Sequence, residues 1–370
     1  MSHFLRGWVA LSSLLISAPL VTFAASPATE VTHMRQYRLE KAEQGYRLAL
    51  KEAGVPKPAA REVLVRVRAV SLNRRDLYVL AGQYGRGDLS GKVPLSDGAG
   101  EVAAVGPQVS RVKMGDRVAA IFFQRWLSGK ADANTQPSAL GGAIDGMLSE
   151  YVVLNEDGLV RVPEHLSFEE AATLPCAGVT AWNGLFTRGN LQPGDFVLLE
   201  GTGGVSVFGL QFAAAAGAKP IITSSSDAKL ERAKKLGAWQ TINYKSTADW
   251  DKAVMQLTEG HGADQVLEVG GEQTIPKAVG SAALGGHIAL IGGLSGWNGQ
   301  LPAGVLALRN LRTSGIYVGS RADFEAMNAF ITEHQLRPVI DKEFKFDDAP
   351  AAFAYMDSPD LFGKVVIRLP

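Results

Sequence analysis

The stretch Phe196-Val197-Leu198-Leu199-Glu200-Gly201-Thr202-Gly203-Gly204-Val205-Ser206-Val207 decides the reading of this chain. An apolar run of strand character meets a glycine cluster, and a small-residue helix over 208–217 follows. Strand, glycine turn and helix in that order make a cradle for a pyrophosphate. The glycines let the backbone approach the phosphates, and the helix N-terminus offers free N–H groups and a positive dipole end. Read as G-x-G-x-x-G, the turn carries Gly201 and Gly203, with Ser206 in the third place, where close helix–strand packing tolerates a serine. A glycine-rich turn alone is a weak signal, and its flanking elements supply the context the motif requires. The plainer alternative is a glycine-rich βα turn in some other α/β fold.

Around this stretch the second half alternates strands with helices. Pro220–Thr223, Gln265–Val269 and His287–Ile291 read as strands, and Ala228–Leu236 and Ala248–Thr258 as helices. Near-continuous apolar strands between helices predict a parallel, doubly wound sheet. Ser167, with Glu170 three residues on, marks a helix start. The first half reads β, with Glu62–Val70 alternating apolar and charged residues, and further short strands at 100–106, 116–121 and 151–154. Gln124–Gly142 has no apolar period and reads as a surface excursion or flap. Lys364–Leu369 is again a strand, placed to rejoin the first half.

Composition narrows the function. A length of 370 residues suits two domains. Basic and acidic residues balance at 37 each, whereas a nucleic-acid partner leaves a basic patch. The single cysteine, Cys176, excludes an internal disulfide and a Cys-rich zinc lobe. At the N-terminus an apolar run over 8–23 follows Arg6 and precedes Ala24-Ala25. Residues 1–25 read as a signal peptide, too short and too serine-broken for a stable membrane span, and 26–33 as a linker. A used leader places the protein in the periplasm or outside the cell. Otherwise Met34 serves as the start and the protein is cytoplasmic.

Several motifs occur together in a fixed order. They are Leu72-Asn73-Arg74-Arg75-Asp76-Leu77, Leu95-Ser96-Asp97-Gly98-Ala99-Gly100-Glu101-Val102, Gly115-Asp116-Arg117-Val118, the run Glu170–Trp182, Gly201–Val205, Ala233–Ala238 and Phe362-Gly363-Lys364-Val365-Val366. Over 34–370 the chain resembles the medium-chain dehydrogenase/reductase superfamily, in its zinc-independent, quinone-oxidoreductase-like branch. It is similar to members named NAD(P)-dependent alcohol dehydrogenases. The resemblance implies an α/β protein with a GroES-like β domain over 34–158, completed by 321–370. It also implies a doubly wound Rossmann domain over 159–320, with the active site in the cleft between them. The family's dimers imply a homodimer through edge strands, with which Tyr317 is compatible.

The resemblance also assigns residues. Zinc enzymes of the superfamily bind their metal through cysteine and histidine, and here Asn73 and Ser96-Asp97 match those positions, with only Cys176 retained. One thiol with an amide and a hydroxyl is not a zinc set, so no metal is expected. Cys176 is then a small buried hydrophobe or a residue of the cleft wall. Asn73 and Tyr78 are candidate donors to a substrate oxygen, and Asp76 a candidate catalytic acid. Their alternatives are a turn residue, a packed aromatic and a structural partner of Arg74 or Arg75. Thr180, Gly201, Gly203, Gly204, Val205, Gly270, Ile291, Gly292, Val318, Gly319 and Lys364 fall at the cofactor's place.

The second Rossmann strand ends at Ser224-Ser225, where NAD-preferring members carry an acid for the ribose hydroxyls. Serines there, with Lys229 and Tyr244, favour NADPH over NADH, with Arg232 as a further helper. The alternative is that Ser226 and Asp227 cap the next helix and Lys229 is a solvated charge. The function expected is hydride transfer between NADPH and a carbonyl or alcohol, a quinone or an enone. The alternative is an NADPH-binding protein with little or no turnover. A cleft wall of Tyr84, Phe122, Phe123, Trp126 and Trp297 suits an apolar substrate. A nicotinamide cofactor is hard to supply outside the cytoplasm, which argues against export. No twin arginine precedes the apolar run.

Overall fold

The computed structural model describes Met1, His3, residues 31–85 and residues 87–370. Apart from Met1 and His3, the expected leader lies outside the described residues, as does most of the expected linker. Among those described, no helix is long and apolar enough to cross a membrane.

The strands, in chain order, are β1 (His33–Lys41), β2 (Tyr46–Gly54), β3 (Glu62–Leu72), β4 (Asp97–Val105), β5 (Arg117–Ala120), β6 (Tyr151–Asn155), β7 (Leu159–Arg161), β8 (Phe196–Leu199), β9 (Lys219–Ser224), β10 (Gln240–Asn243), β11 (Ala263–Glu268), β12 (Ala282–Leu290), β13 (Arg312–Gly315), β14 (Ile340–Lys345) and β15 (Lys364–Arg368). β1 and β2 form an antiparallel hairpin. β8 to β13 make a six-stranded sheet in the order β10-β9-β8-β11-β12-β13, parallel throughout. This is the doubly wound sheet that the alternating pattern predicts. A mixed sheet has the order β14-β15-β3-β4-β5-β7, with β6 also on β3. The fold is therefore α/β, a largely antiparallel GroES-like part with a Rossmann part.

β3 shows how local sequence sets the mixed sheet. Its alternation of apolar and charged residues buries Val63, Val65 and Val67 and leaves Arg66 outside. β15, in contrast, is buried on both faces through Val365, Val366 and Ile367, because β14 and β3 flank it and helices cover it. β7 pairs with β5, so the mixed sheet runs to Arg161, past the expected limit at 158. His33 already belongs to β1 rather than to a linker. One apolar cluster holds residues of both sheets, including Ala69, Ala99, Leu199 and Leu267, and joins the two parts.

One further expectation changes. His287 reads as a surface or strand-end residue, yet it lies buried inside β12 and holds Gln265 at 3.1 Å. The segment 124–142 is a surface excursion, exposed throughout 128–134, that is anchored at its two ends: Trp126, Thr135, Ser138 and Leu140 are buried, and Phe123 bridges to Ala139. Turn hydrogen bonds hold it instead of a ladder, which is why it shows no period.

Candidate active site

A cleft of about 930 Å³ runs along the C-terminal ends of the parallel strands and on to the start of the helix Arg74–Leu80. The glycine turn forms one wall. Gly201 has φ +71°, a left-handed conformation that glycine adopts without a Cβ penalty, and open space lies at its Cβ position. Gly203 is the N-cap of the helix Gly204–Ala215, so the unpaired N–H groups of that helix face the cleft beside Gly204 and Val205. Ser206, in the third motif place, donates from Oγ to the Glu200 carbonyl at 2.6 Å, which explains why a serine serves there. These residues suit a pyrophosphate.

At one end Ser224, Ser225, Lys229 and Tyr244 line the cleft together. Lys229 donates to the Pro359 carbonyl. Burial lowers its pKa, and Asp360 and Asp341 oppose that shift. Arg232 does not join this wall. It pairs with Asp341 at 2.9 Å and stacks on Phe362.

At the other end stand Asn73, Tyr78, Cys176, Thr180 and Lys364. Lys364 Nζ donates to Asn73 Oδ1 and to the Leu72 carbonyl, both at 2.6 Å. Asn73 Nδ2 is itself buried, and the Asn73 side chain also bears on the Asp97 carboxylate, whose pKa burial raises and Lys364 and Asn73 lower. Burial raises the Cys176 thiol, which therefore stays protonated, and the Cys176 N–H donates to Asp97 at 3.2 Å. Ile291, Gly292 and Val318 also line the cleft. Val318 has φ 59°, unusual for a β-branched residue, and its carbonyl accepts from Asn183 Nδ2 at 2.7 Å.

Three expected site residues are not on the wall. Asp76 is buried and accepts from the Asn73 N–H at 2.8 Å, capping its own helix. Burial pushes its carboxyl up to about 6, and Arg75 at 3.7 Å opposes that. The hydrogen bond to the Asn73 N–H fixes the turn there. Gly270 donates its N–H to Glu200 and packs on Thr274, and Gly319 packs on Val179. Of the expected aromatic wall, Tyr84, Phe122 and Trp297 line the cleft, whereas Phe123 and Trp126 border a smaller adjoining cavity.

The structure adds residues the sequence reading passed over. Tyr317, matched there to a subunit edge, lines the cleft and meets the Tyr84 hydroxyl. Arg75 lies beneath the Tyr84 and Phe122 rings, 4.4 and 4.8 Å from their centres. Glu200 also lines the cleft, beside Glu268 on the neighbouring strand. An acid closing an apolar strand was the available signal for Glu200. Nothing local marked Tyr317, because its partner is 233 residues away.

Comparison with known proteins agrees with this geometry. The alcohol dehydrogenase GroES-like domain model matches residues 59–164, and the zinc-binding dehydrogenase model matches 204–333. A zinc-type alcohol dehydrogenase-like protein of Schizosaccharomyces pombe is 46% identical over 315 residues, covering 83% of this chain and 91% of that protein. The chain is a medium-chain dehydrogenase/reductase. Among solved structures, a Sinorhizobium meliloti protein described as an alcohol dehydrogenase has a TM-score of 0.86 at 42% identity, covering 91% of this chain and 99% of that one. A structure described as NAD-dependent alcohol dehydrogenase has a TM-score of 0.81 at 34% identity, covering 90% and 100%. This medium-chain dehydrogenase/reductase is thus an oxidoreductase, and a nicotinamide cofactor fits its glycine turn. Among its described residues, no three His, Cys, Asp or Glu side chains gather as a metal site requires.

Proposed function

We propose that the protein is a zinc-independent, NADPH-dependent oxidoreductase acting on a carbonyl or alcohol, a quinone or an enone. The observation that carries this reading is one continuous cleft with Ser225, Lys229 and Tyr244 at one end and Asn73, Tyr78 and Thr180 at the other. NADPH, when bound, supplies the hydride. The serines, the Lys229 ammonium and the Tyr244 hydroxyl suit a 2′-phosphate, which an acid at the strand end would repel. The glycine turn and the following helix terminus take the pyrophosphate. At the reacting end, the Tyr78 hydroxyl is a donor for the oxygen that gains charge as hydride arrives. A carbonyl and an enone present the same oxygen to it. The apolar surfaces of Phe122, Ile316 and Trp297 suit an apolar substrate. The mixed-sheet part, residues 33–161 with the returning strands β14 and β15, serves the substrate, and the parallel-sheet part the cofactor.

The donor set argues against a zinc ion at Asn73. Zinc takes about three thiolate, imidazole or carboxylate ligands. Here the Asn73 oxygen already faces the Lys364 ammonium, and that ammonium lies 3.9 Å from Asp97. A second cation there meets like-charge repulsion. Dialysis against EDTA should leave turnover unchanged, and activity that is lost and then restored by zinc would sink this part of the reading.

The deciding experiment is fluorescence titration of the full chain with NADPH and NADH at fixed salt, followed by a reductase screen with quinones, enones and aldehydes. NADPH should bind at least about tenfold more tightly, and Lys229→Ala should remove most of that preference by deleting a charge-assisted contact. Tighter NADH binding refutes the 2′-phosphate assignment and leaves the fold untouched.

A further inference from the structure

A second, smaller cavity of about 210 Å³ adjoins the cleft. Phe123, Trp126 and Thr135 line it on one side, and Asn183, Gly315 and Tyr317 of the parallel-sheet part on the other. Among the described residues, Tyr317 alone lines both spaces. Its ring stands edge-on to Phe122 of the cleft wall, 5.9 Å between centres, and to Phe123 of the cavity wall, at 4.9 Å. Tyr317 is 43% exposed, and its hydroxyl meets that of Tyr84. Side chains this exposed change rotamer readily.

The donors of the buried polar side chains in this wall are already engaged. Trp126 Nε1 donates to the Gly129 carbonyl at 3.0 Å, the Thr135 hydroxyl to Asp132 at 3.2 Å, and Asn183 Nδ2 to the Val318 carbonyl at 2.7 Å. The charged residues that line it, Asp132 and Arg188, are exposed. What the interior offers a guest is the rings of Phe123, Trp126 and Tyr317, against which another ring packs edge-on or offset. An apolar cavity of about 150 Å³ holds one benzene molecule, so this space suits a phenyl-sized group. β13 leaves room as well. Gly315 has no left-handed backbone that would require glycine, and a Cβ there meets open space.

We propose that this cavity is a side pocket of the substrate site: a phenyl-sized arm of the acceptor lodges among Phe123, Trp126 and Tyr317 while the reacting carbonyl lies in the cleft. Tyr317 is the partition that the arm passes. The inference rests on the proposed oxidoreductase reading and narrows its substrate class to acceptors that carry an aryl arm. The arm is remote from the reacting atoms and is held equally before and during hydride transfer. It therefore acts on KM and not on kcat.

The test measures KM and kcat of the full chain at saturating NADPH for butanal and for the same aldehyde with a terminal phenyl group. Where quinones or enones prove the better acceptors, the same pair, without and with the phenyl arm, is compared in that class. Burying a phenyl ring strengthens binding about 10- to 100-fold, so the arm should lower KM at least about tenfold and leave kcat within about threefold. Gly315→Leu fills the cavity from β13 and should remove most of that advantage. It should leave the KM of butanal and the NADPH dissociation constant unchanged, because Gly315 is not on the cleft wall. Should Gly315→Leu fail to fold, a crystal structure of the wild type with NADP and the phenyl-capped alcohol decides, with the ring expected between Phe123 and Trp126. A ring found elsewhere overturns the inference, as does a folded Gly315→Leu enzyme that keeps the full advantage. A phenyl arm without effect on KM, in an enzyme that reduces butanal, overturns it too and leaves the parent reading standing. A wild-type protein that binds NADPH but reduces none of the acceptors overturns the parent reading, and this role falls with it.

Discussion

Glu200 and Glu268 put two carboxyl groups side by side at the ends of neighbouring parallel strands. Glu200 accepts from the Val269 and Gly270 N–H groups, both at 3.3 Å, and Glu268 accepts from the Gly271 N–H at 2.8 Å and from the Thr274 hydroxyl. One oxygen of each has no partner. Burial first, then the charge of Glu268, raises the Glu200 pKa well above its usual 4.5. Like charges this close in a dry site favour one retained proton. A carboxyl raised in the folded state holds a proton that the unfolded chain has lost, so its contribution is full below about 4.5 and disappears as pH rises through the folded value. His287 acts at the acid side. Burial lowers its pKa from 6.5 to about 4, so its contribution is lost as pH falls through that interval. Melting temperatures of wild type and Glu200→Gln, compared between about pH 5 and about pH 9, test the first effect. The wild type should lose stability relative to the variant as pH rises, and parallel curves would refute the proton retained on Glu200.

At the scale of elements, the helix Gly204–Ala215 shows how closely the cofactor wall is fitted. A Cβ on Gly209 would lie 2.8 Å from both Leu199 and Leu267 in the strands beneath. Gly209→Ala should therefore cost about 1–3 kcal/mol by overpacking, seen as a lower melting temperature. NADPH affinity should change little, because Gly209 is not on the cleft wall. The strands around this helix were legible in the sequence, since their apolar runs and glycine turns are local signals. The Ser167–Glu170 capping box was legible for the same reason, and both of its hydrogen bonds form, at 2.8 and 3.1 Å. The stretch that follows was less so. After the helix Phe168–Ala172 the backbone widens into five-residue turns over Leu174–Gly178 and Asn183–Thr187. Pro175 lacks an N–H and disturbs the regular ladder there, an effect no apolar period reveals. Within the site, the glycine turn could be read directly. The place of Asp76 behind the wall could not, because the same carboxyl serves equally as a helix cap or as an acid until its direction is known.

Over the whole molecule, the fold class was legible from the change of pattern between the two halves, while contacts between distant segments were not. Tyr84 with Tyr317 and Asn73 with Lys364 join residues that no local motif connects. The same separation has a consequence for how the protein is made. β3 receives β15 between itself and β14, and Ser71 donates to Val365 across 294 residues of chain. During synthesis β6 can cover Glu62–Arg66 of that β3 edge, but Ala69–Leu72 wait, unpaired, while the parallel sheet emerges and folds. At about 5–20 residues per second, the 291 residues between Asn73 and Lys364 take roughly 15 to 60 s to appear. For that interval the nascent chain carries an open β edge, of the kind that recruits other chains. The Asn73 amide gains its lysine only when that edge is closed, so this buried contact forms in the same step that ends the exposure.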